Sequence, residues 1–114
     1  MKARSTGWRS QTNHIWGHSA DIAAQVASAE HPITSRMVVT AMIGEMVEDD
    51  AWPEVAHPLF RRPQPMALSG AGSALANVLI EKLHAFADMH GLFLHEYTEG
   101  GVSEKVWYGK DKRP

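Results

Sequence analysis

The sequence predicts a mainly helical α+β fold, and two observations predict it. Apolar residues recur at helical spacing in three stretches of the 114-residue chain, and two β-rich runs near the carboxyl end flank a glycine pair. With 44% hydrophobic and 21% charged residues, the chain has the composition and length of one globular domain. We expect a single domain over 1–114, with a basic N-terminal arm (1–12), a helical core (13–91), a β-hairpin (92–110) and a tail (111–114).

The first helix is predicted from Asn13 to about Ser28, with Asn13 available as the N-cap. Trp16 lies on its apolar side and is expected in the core, because tryptophan is usually mostly buried. The helix should end before Pro32, since the residue that precedes a proline disfavours helical backbone angles.

The second helix is predicted to start at a cap formed by Thr34 or Ser35 and to end in the acidic run 48–50. Its apolar face is broad, so we expect burial in the core or against a second copy of the chain. The residues of that face are Met37, Val38, Val39, Met42, Ile43, Met46 and Val47.

Residues 51–69 contain four prolines, which prevent a long helix and disfavour a central strand. This segment is predicted to be a long ordered loop that crosses the surface. Trp52, Leu59 and Phe60 are its expected anchors, because they are the large apolar side chains of the segment.

The third helix is predicted from a cap at Ser69 or Ser73 to His90, with Gly91 in the left-handed stop position. A periodic set of side chains should face inward from it. These are Leu75, Val78, Leu79, Leu83, Phe86 and Ala87.

Two strands are predicted after the third helix, at 92–97 and 105–108, on either side of a turn that contains Gly100 and Gly101. A two-stranded hairpin is marginal in water by itself. We therefore expect this hairpin to dock on the helices or to pair with another subunit.

The charge of the chain is unevenly distributed. The formal net charge is −2, yet residues 1–9 and residues 105–114 each sum to +3, so the intervening residues sum to −8. No window approaches the length of a membrane span, and no apolar run follows the basic start as a signal peptide would require. We expect a cytoplasmic protein without a membrane partner.

Few residues suggest chemistry. Cysteine is absent, which excludes disulfides, thiolate metal sites and cysteine nucleophiles. His14, His18 and Asp21 share a predicted helix face and would offer two imidazoles and a carboxylate to a metal. Seven histidines make such spacings easy to obtain by chance, so a surface or interface role is the favoured interpretation. His84 and Asp88 are interpreted as a local contact, and no catalytic residue, metal or other cofactor is predicted.

Basic residues alternate with aromatic residues at both ends of the chain. Cations neutralise phosphates, while exposed aromatic rings stack on unpaired bases, and proteins that bind single strands combine the two. Trp8 and Tyr108 are the aromatic residues expected to be exposed. This pattern indicates a surface for single-stranded DNA.

Other classes of function remain open. Two helices separated by 29–33, with Arg36 early in the second, are similar to a helix-turn-helix, and the hairpin would be its wing. The apolar second helix argues against that regulator, because a groove-reading face must be exposed. A non-catalytic protein-interaction module or a small metal-dependent enzyme is the third class.

Two stretches of the sequence resemble the phage recombination proteins called Orf or NinB. The first stretch is Arg9-Ser10-Gln11-Thr12-Asn13, followed by Trp16-Gly17, Asp21-Ile22-Ala23 and Gln25-Val26. The second is Leu79-Ile80-Glu81, Ala85-Phe86-Ala87 and Gly91, with Leu92 and Leu94 after it.

The resemblance implies a dimeric α+β recombination accessory protein that binds single-stranded DNA and contacts the host single-strand-binding protein. No covalent chemistry is implied. On this hypothesis Trp8 stacks on bases, Gln11 contacts the backbone, and the basic residues of both ends contact phosphates. The candidate nucleic-acid-binding residues are Arg4, Trp8, Arg9, Gln11, Lys105, Lys110, Lys112 and Arg113.

Overall fold

The described residues form three α-helices and two separate antiparallel strand pairs, which confirms the predicted α+β, mainly helical class. The structure is a computed structural model that describes residues 2–98 and 101–108, with the side chains of 11–97 and 105–108. The elements are α1 (Lys2–Val26), α2 (Ser35–Glu48), β1 (Glu54–Ala56), β2 (Pro63–Pro65), a 3₁₀ turn (Leu68–Gly70), α3 (Ser73–His90), β3 (Phe93–Thr98) and β4 (Gly101–Trp107).

Helix α1 begins at Lys2, so the predicted start at Asn13 is wrong. Residues 2–12 form its first turns rather than a separate arm. The physical reason is that these residues contain no proline, and lysine, alanine and arginine near the start favour a helix. A cap-type residue such as Asn13 is tolerated inside a helix when its neighbours continue the helix.

The ends of α2 and α3 follow local rules. Thr34 caps α2, with its hydroxyl oxygen accepting from the Met37 backbone N–H at 3.2 Å, as predicted. Gly91 ends α3 in the left-handed region (φ 64°, ψ 37°), also as predicted. Gly72, rather than a serine, is the N-cap residue of α3.

The proline-rich segment was predicted as an ordered loop, but it contains the two short strands β1 and β2. Strands β1 and β2 pair in register, with Val55 opposite Gln64. The base of this ribbon (54–65) is held by buried Trp52, whose indole N–H donates to the Met66 carbonyl at 2.9 Å. Trp52 is thus confirmed as an anchor.

Leu59 and Phe60 were expected as anchors, and this prediction is wrong. Their exposed fractions are 78% and 63%, because they lie beyond the paired strands at the far end of the ribbon. Three other burial predictions also fail, since Trp16 is 37% exposed, Met37 on α2 is 51% exposed and Val78 is exposed on the outer side of α3.

The core joins α1, α2, α3 and β3. Its most deeply buried apolar side chains are Ile15, Ile22, Ala76, Leu79, Leu83, Ala87 and Leu94. Helix α2 contributes Val38, Val39, Met42, Ile43 and Met46, which confirms that most of its predicted apolar face is buried. Within the described segments, no helix has the length and apolarity that crossing a bilayer requires.

The C-terminal hairpin docks along α1, as expected for a pair of strands that needs support. The Gln25 side chain donates to the Phe93 carbonyl at 2.8 Å and accepts from the Phe93 N–H at 3.0 Å. Farther along, the Tyr97 ring covers Gly17, where a Cβ atom would overlap the ring. Strand β3 therefore runs antiparallel to α1.

Candidate functional site

A buried carboxylate joins α1 to the hairpin. Asp21 Oδ2 accepts from the His95 backbone N–H at 2.8 Å and from the Tyr97 hydroxyl at 2.8 Å. Asp21 Oδ1 lies 2.8 Å from His95 Nδ1. An ionised carboxylate only accepts, so Nδ1 carries the proton of that bond. Burial, followed by the hydrogen bond to Asp21, raises the pKa of Tyr97, which therefore remains a hydroxyl donor at neutral pH.

Two histidines from different helices meet next to this network. His18 Nε2 on α1 lies 3.1 Å from His84 Nε2 on α3, and the His14 ring centroid lies 5.2 Å from that of His18. Burial, and then the nearby imidazole of His84, lowers the pKa of His18 to about 3. A hydrogen bond between two imidazoles needs one N–H and one lone pair, so at most one of the two rings is charged.

The metal triad considered from sequence does not form. Asp21 is turned toward the hairpin, away from the contact between His18 and His84. Among the residues that the structure describes, no three His, Cys, Asp or Glu side chains form a group able to hold a metal ion. His84 reaches across to α1 rather than pairing locally with Asp88 as expected. The polar network thus fastens the hairpin and α3 to α1.

No family model, curated protein or solved structure matches this chain. The assignment of a site therefore depends on geometry and chemistry.

The predicted nucleic-acid residues fall into three groups. Arg4, Trp8 and Arg9 belong to the first turns of α1, and their side chains lie outside the described part of the structure. The Gln11 side chain is already hydrogen-bonded within the chain, since its amide nitrogen donates to the Ser73 carbonyl at 2.9 Å and to Asn77 Oδ1 at 2.8 Å. The third group is at the other end of the chain, where Lys110, Lys112 and Arg113 lie outside the described residues.

Lys105 is the predicted residue whose surroundings are best defined. It is exposed on β4, and its Nζ atom lies 4.6 Å from the centroid of the Phe93 ring. Phe93 in turn makes an edge contact with Trp107, with ring centroids 5.1 Å apart. We call Phe93, Lys105 and Trp107 the hairpin patch.

Tyr108 was expected to be exposed, and the structure corrects this. Its ring lies 5.1 Å from the His84 ring, and the side chain packs half-buried against the core. Its backbone N–H donates to the Leu92 carbonyl at 2.9 Å.

The two basic ends begin at opposite ends of α1. Tyr108 is bonded to Leu92, and the neighbouring Phe93 is bonded to Gln25 near the end of α1, whereas the N-terminal basic residues start at Lys2. A helix of 25 residues spans about 37 Å. The described backbone therefore does not favour a single compact phosphate site built from both ends.

A second basic and aromatic group was missed at the sequence level. Leu59, Phe60, Arg61 and Arg62 lie together at the exposed end of the ribbon. The signal in the sequence was a Leu-Phe-Arg-Arg run bounded by Pro58 and Pro63. We call 57–62 the ribbon tip.

Proposed function

We propose that this chain is a non-catalytic protein that binds single-stranded DNA and that the hairpin patch forms part of its contact surface. The observation that carries the proposal is the exposed Lys105 ammonium held over Phe93, which is itself in contact with Trp107. A cation beside aromatic rings suits a strand whose phosphates and unpaired bases alternate.

The register of the hairpin keeps this arrangement together. Phe93 pairs with Trp107 and His95 pairs with Lys105, so these side chains share one face of the strand pair. The Asp21 bonds to His95 and Tyr97 fix β3 on α1. The patch is therefore supported by rigid elements, which limits the entropy lost on binding.

The two stretches that resemble the Orf or NinB proteins support a physiological setting for this binding. We propose a role as a phage-type recombination accessory protein in the cytoplasm, acting as a homodimer with the host single-strand-binding protein as a partner. Light scattering tests the dimer, and co-purification with that partner tests the interaction. A monomer, or a failure to retain the partner, would contradict the respective part of the proposal.

The helix-turn-helix alternative has less support. Its recognition helix would be α2, yet α2 buries Val38, Val39, Met42, Ile43 and Met46 in the core. The exposed face of α2 carries one cation, Arg36, together with the acids Glu45 and Glu48, a charge pattern that does not suit the phosphates beside a major groove.

The test is fluorescence anisotropy of labelled oligothymidylate with the whole chain over a series of salt concentrations. We expect Lys105→Ala to weaken binding and to make the plot of log affinity against log salt shallower by about 0.7, the value for one lost phosphate contact on a single strand. Arg36→Ala is the matched control, because Arg36 is an exposed cation on α2 outside the patch. Equal loss in both variants would contradict a role specific to Lys105.

A further inference from the structure

The ribbon 54–65 contributes little to the core. All of β1 is exposed, and β2 is exposed apart from partial burial at Gln64. Its attachment lies at the base, where Met66 accepts from the Trp52 indole and its N–H donates to the Pro53 carbonyl at 3.0 Å. Two-stranded ribbons are marginal in water without packing. The ribbon thus carries its far end away from the core, where the side chains of Leu59 and Phe60 are open to a partner.

The ribbon tip is held in one conformation by His57. The His57 Nδ1 atom accepts from the Leu59 N–H at 3.0 Å and from the Phe60 N–H at 3.2 Å. The His57 N–H donates to the Arg62 carbonyl, and the His57 carbonyl accepts from the Arg61 N–H, both at 2.9 Å. Arg61 has a φ of 61°, a left-handed value that is uncommon for a residue with a side chain. These bonds fix the tip before any partner arrives.

The side chains presented by the tip combine apolar surface with positive charge. Leu59 and Phe60 are largely exposed, and the Arg62 guanidinium carbon lies 5.2 Å from the Phe60 ring centroid. Arg61 adds a second cation next to them. Guanidinium groups bind phosphate with two parallel hydrogen bonds, and both guanidinium planes and aromatic rings stack on bases.

We propose that the ribbon tip is a second contact for single-stranded nucleic acid. Phe60 and Leu59 pack against unpaired bases, and Arg61 and Arg62 bind the flanking phosphates. This inference rests on the proposed function, although it concerns a surface separate from the hairpin patch. An anionic lipid surface also offers negative charge and apolar material, but it has no flat rings to match the paired Phe60 and Arg62 groups.

The test uses the whole chain and labelled oligothymidylate. Phe60→Ala should weaken binding about tenfold, within the range for the loss of one stacked base. The matched control is Met89→Ala, because Met89 is as exposed as Leu59 (78%) and lies on α3. Arg61→Ala with Arg62→Ala should reduce the salt slope by about 1.4, twice the value for one contact.

Variants of His57 test the preorganised conformation. His57→Ala removes the acceptor of the Leu59 and Phe60 N–H groups, so binding should weaken while both tip side chains remain. His57→Asn should restore much of the affinity, because an asparagine oxygen accepts from backbone N–H groups two and three residues ahead in turns. Circular dichroism verifies that each variant keeps its helices.

Three outcomes would overturn the inference. If Phe60→Ala binds as tightly as Met89→Ala while Lys105→Ala is impaired, the tip contact is wrong and the proposed function stands. If the unmodified chain fails to bind oligothymidylate at low salt, both fail. If the tip variants bind oligothymidylate normally but lose binding to phosphatidylserine vesicles, the tip is a membrane contact instead.

Discussion

At the residue scale, Asp21 shows how one buried side chain determines where a whole hairpin sits. It accepts from a backbone N–H, an imidazole and a hydroxyl that all belong to β3. Hydrogen bonds to a charged group contribute about 1.5–3 kcal/mol each, more than neutral ones. The carboxylate thus makes the docking of β3 on α1 specific as well as stable.

His18 makes stability depend on pH in a direction that the structure determines. Its pKa is about 3 in the folded chain and 6.5 in a free side chain, so the unfolded chain binds more protons between these values. As far as His18 is concerned, the free energy of unfolding is therefore highest above about pH 6.5 and decreases as the pH falls toward 3. Burial also lowers the pKa of His84, so His84 likewise makes the free energy of unfolding decrease in acid.

We predict that the free energy of unfolding falls below pH 6.5 with a slope of up to about 1.4 kcal/mol per pH unit for one proton. Urea unfolding at several pH values between 7 and 4 measures it. His18→Gln should flatten the profile, whereas His31→Gln, at an exposed position, should leave it unchanged. A profile that rises with acid, or one that is equally steep in His18→Gln, would contradict this account.

At the element scale, the close approach of β3 to α1 depends on Gly17. A Cβ atom at this position would overlap the Tyr97 ring, whereas a Cβ atom at Gly44 in α2 would meet no atom within 4 Å. The two glycines are both helical and differ in what surrounds them.

Alanine should accordingly have opposite effects at these two glycines. We predict that Gly17→Ala destabilises the chain by about 1–3 kcal/mol because the hairpin must shift. Gly44→Ala should stabilise it by about 0.5–1 kcal/mol because alanine favours a helix. Thermal unfolding of both variants checks the pair, and a Gly17→Ala variant as stable as Gly44→Ala would rule out the tight contact.

Elements with a local signal were predictable, and those without one were not. Thr34 and Gly91 end or begin helices through bonds to residues a few positions away, so the sequence reveals them. The start of α1 was missed because Asn13 is a typical N-cap residue and residues 2–12 lack the periodic apolar residues from which the helix was predicted. The exposure of Phe60 was not predicted because a large apolar residue was assumed to be buried. In the structure the ribbon places Phe60 away from the core.

The polar network could not be predicted for a related reason. Asp21 and His95 lie 74 residues apart, and His18 and His84 lie 66 residues apart. Periodicity assigns residues to faces of their own element and does not say which faces will meet. The spacing of His14, His18 and Asp21 was visible in the sequence and favoured a surface or interface role over a metal site. That role is wrong for His18 and Asp21, which are buried, and Asp21 bonds to the hairpin.

At the scale of the whole molecule, α1 is the element on which the others are arranged. Gln11 bonds to Ser73 and Asn77, and His18 bonds to His84, so α1 and α3 run parallel. Strand β3 of the hairpin runs antiparallel to α1. This arrangement keeps the hairpin patch on a rigid body, while the ribbon tip extends from the segment between α2 and α3.

We propose that this chain binds single-stranded DNA without regard to sequence. The most direct measurement is the anisotropy of labelled oligothymidylate, and of a duplex of equal length, titrated with the unmodified chain at low and moderate salt. We predict tighter binding to the single strand and a loss of affinity as salt increases. Equal or tighter binding to the duplex, or no binding to either at low salt, would contradict the claim.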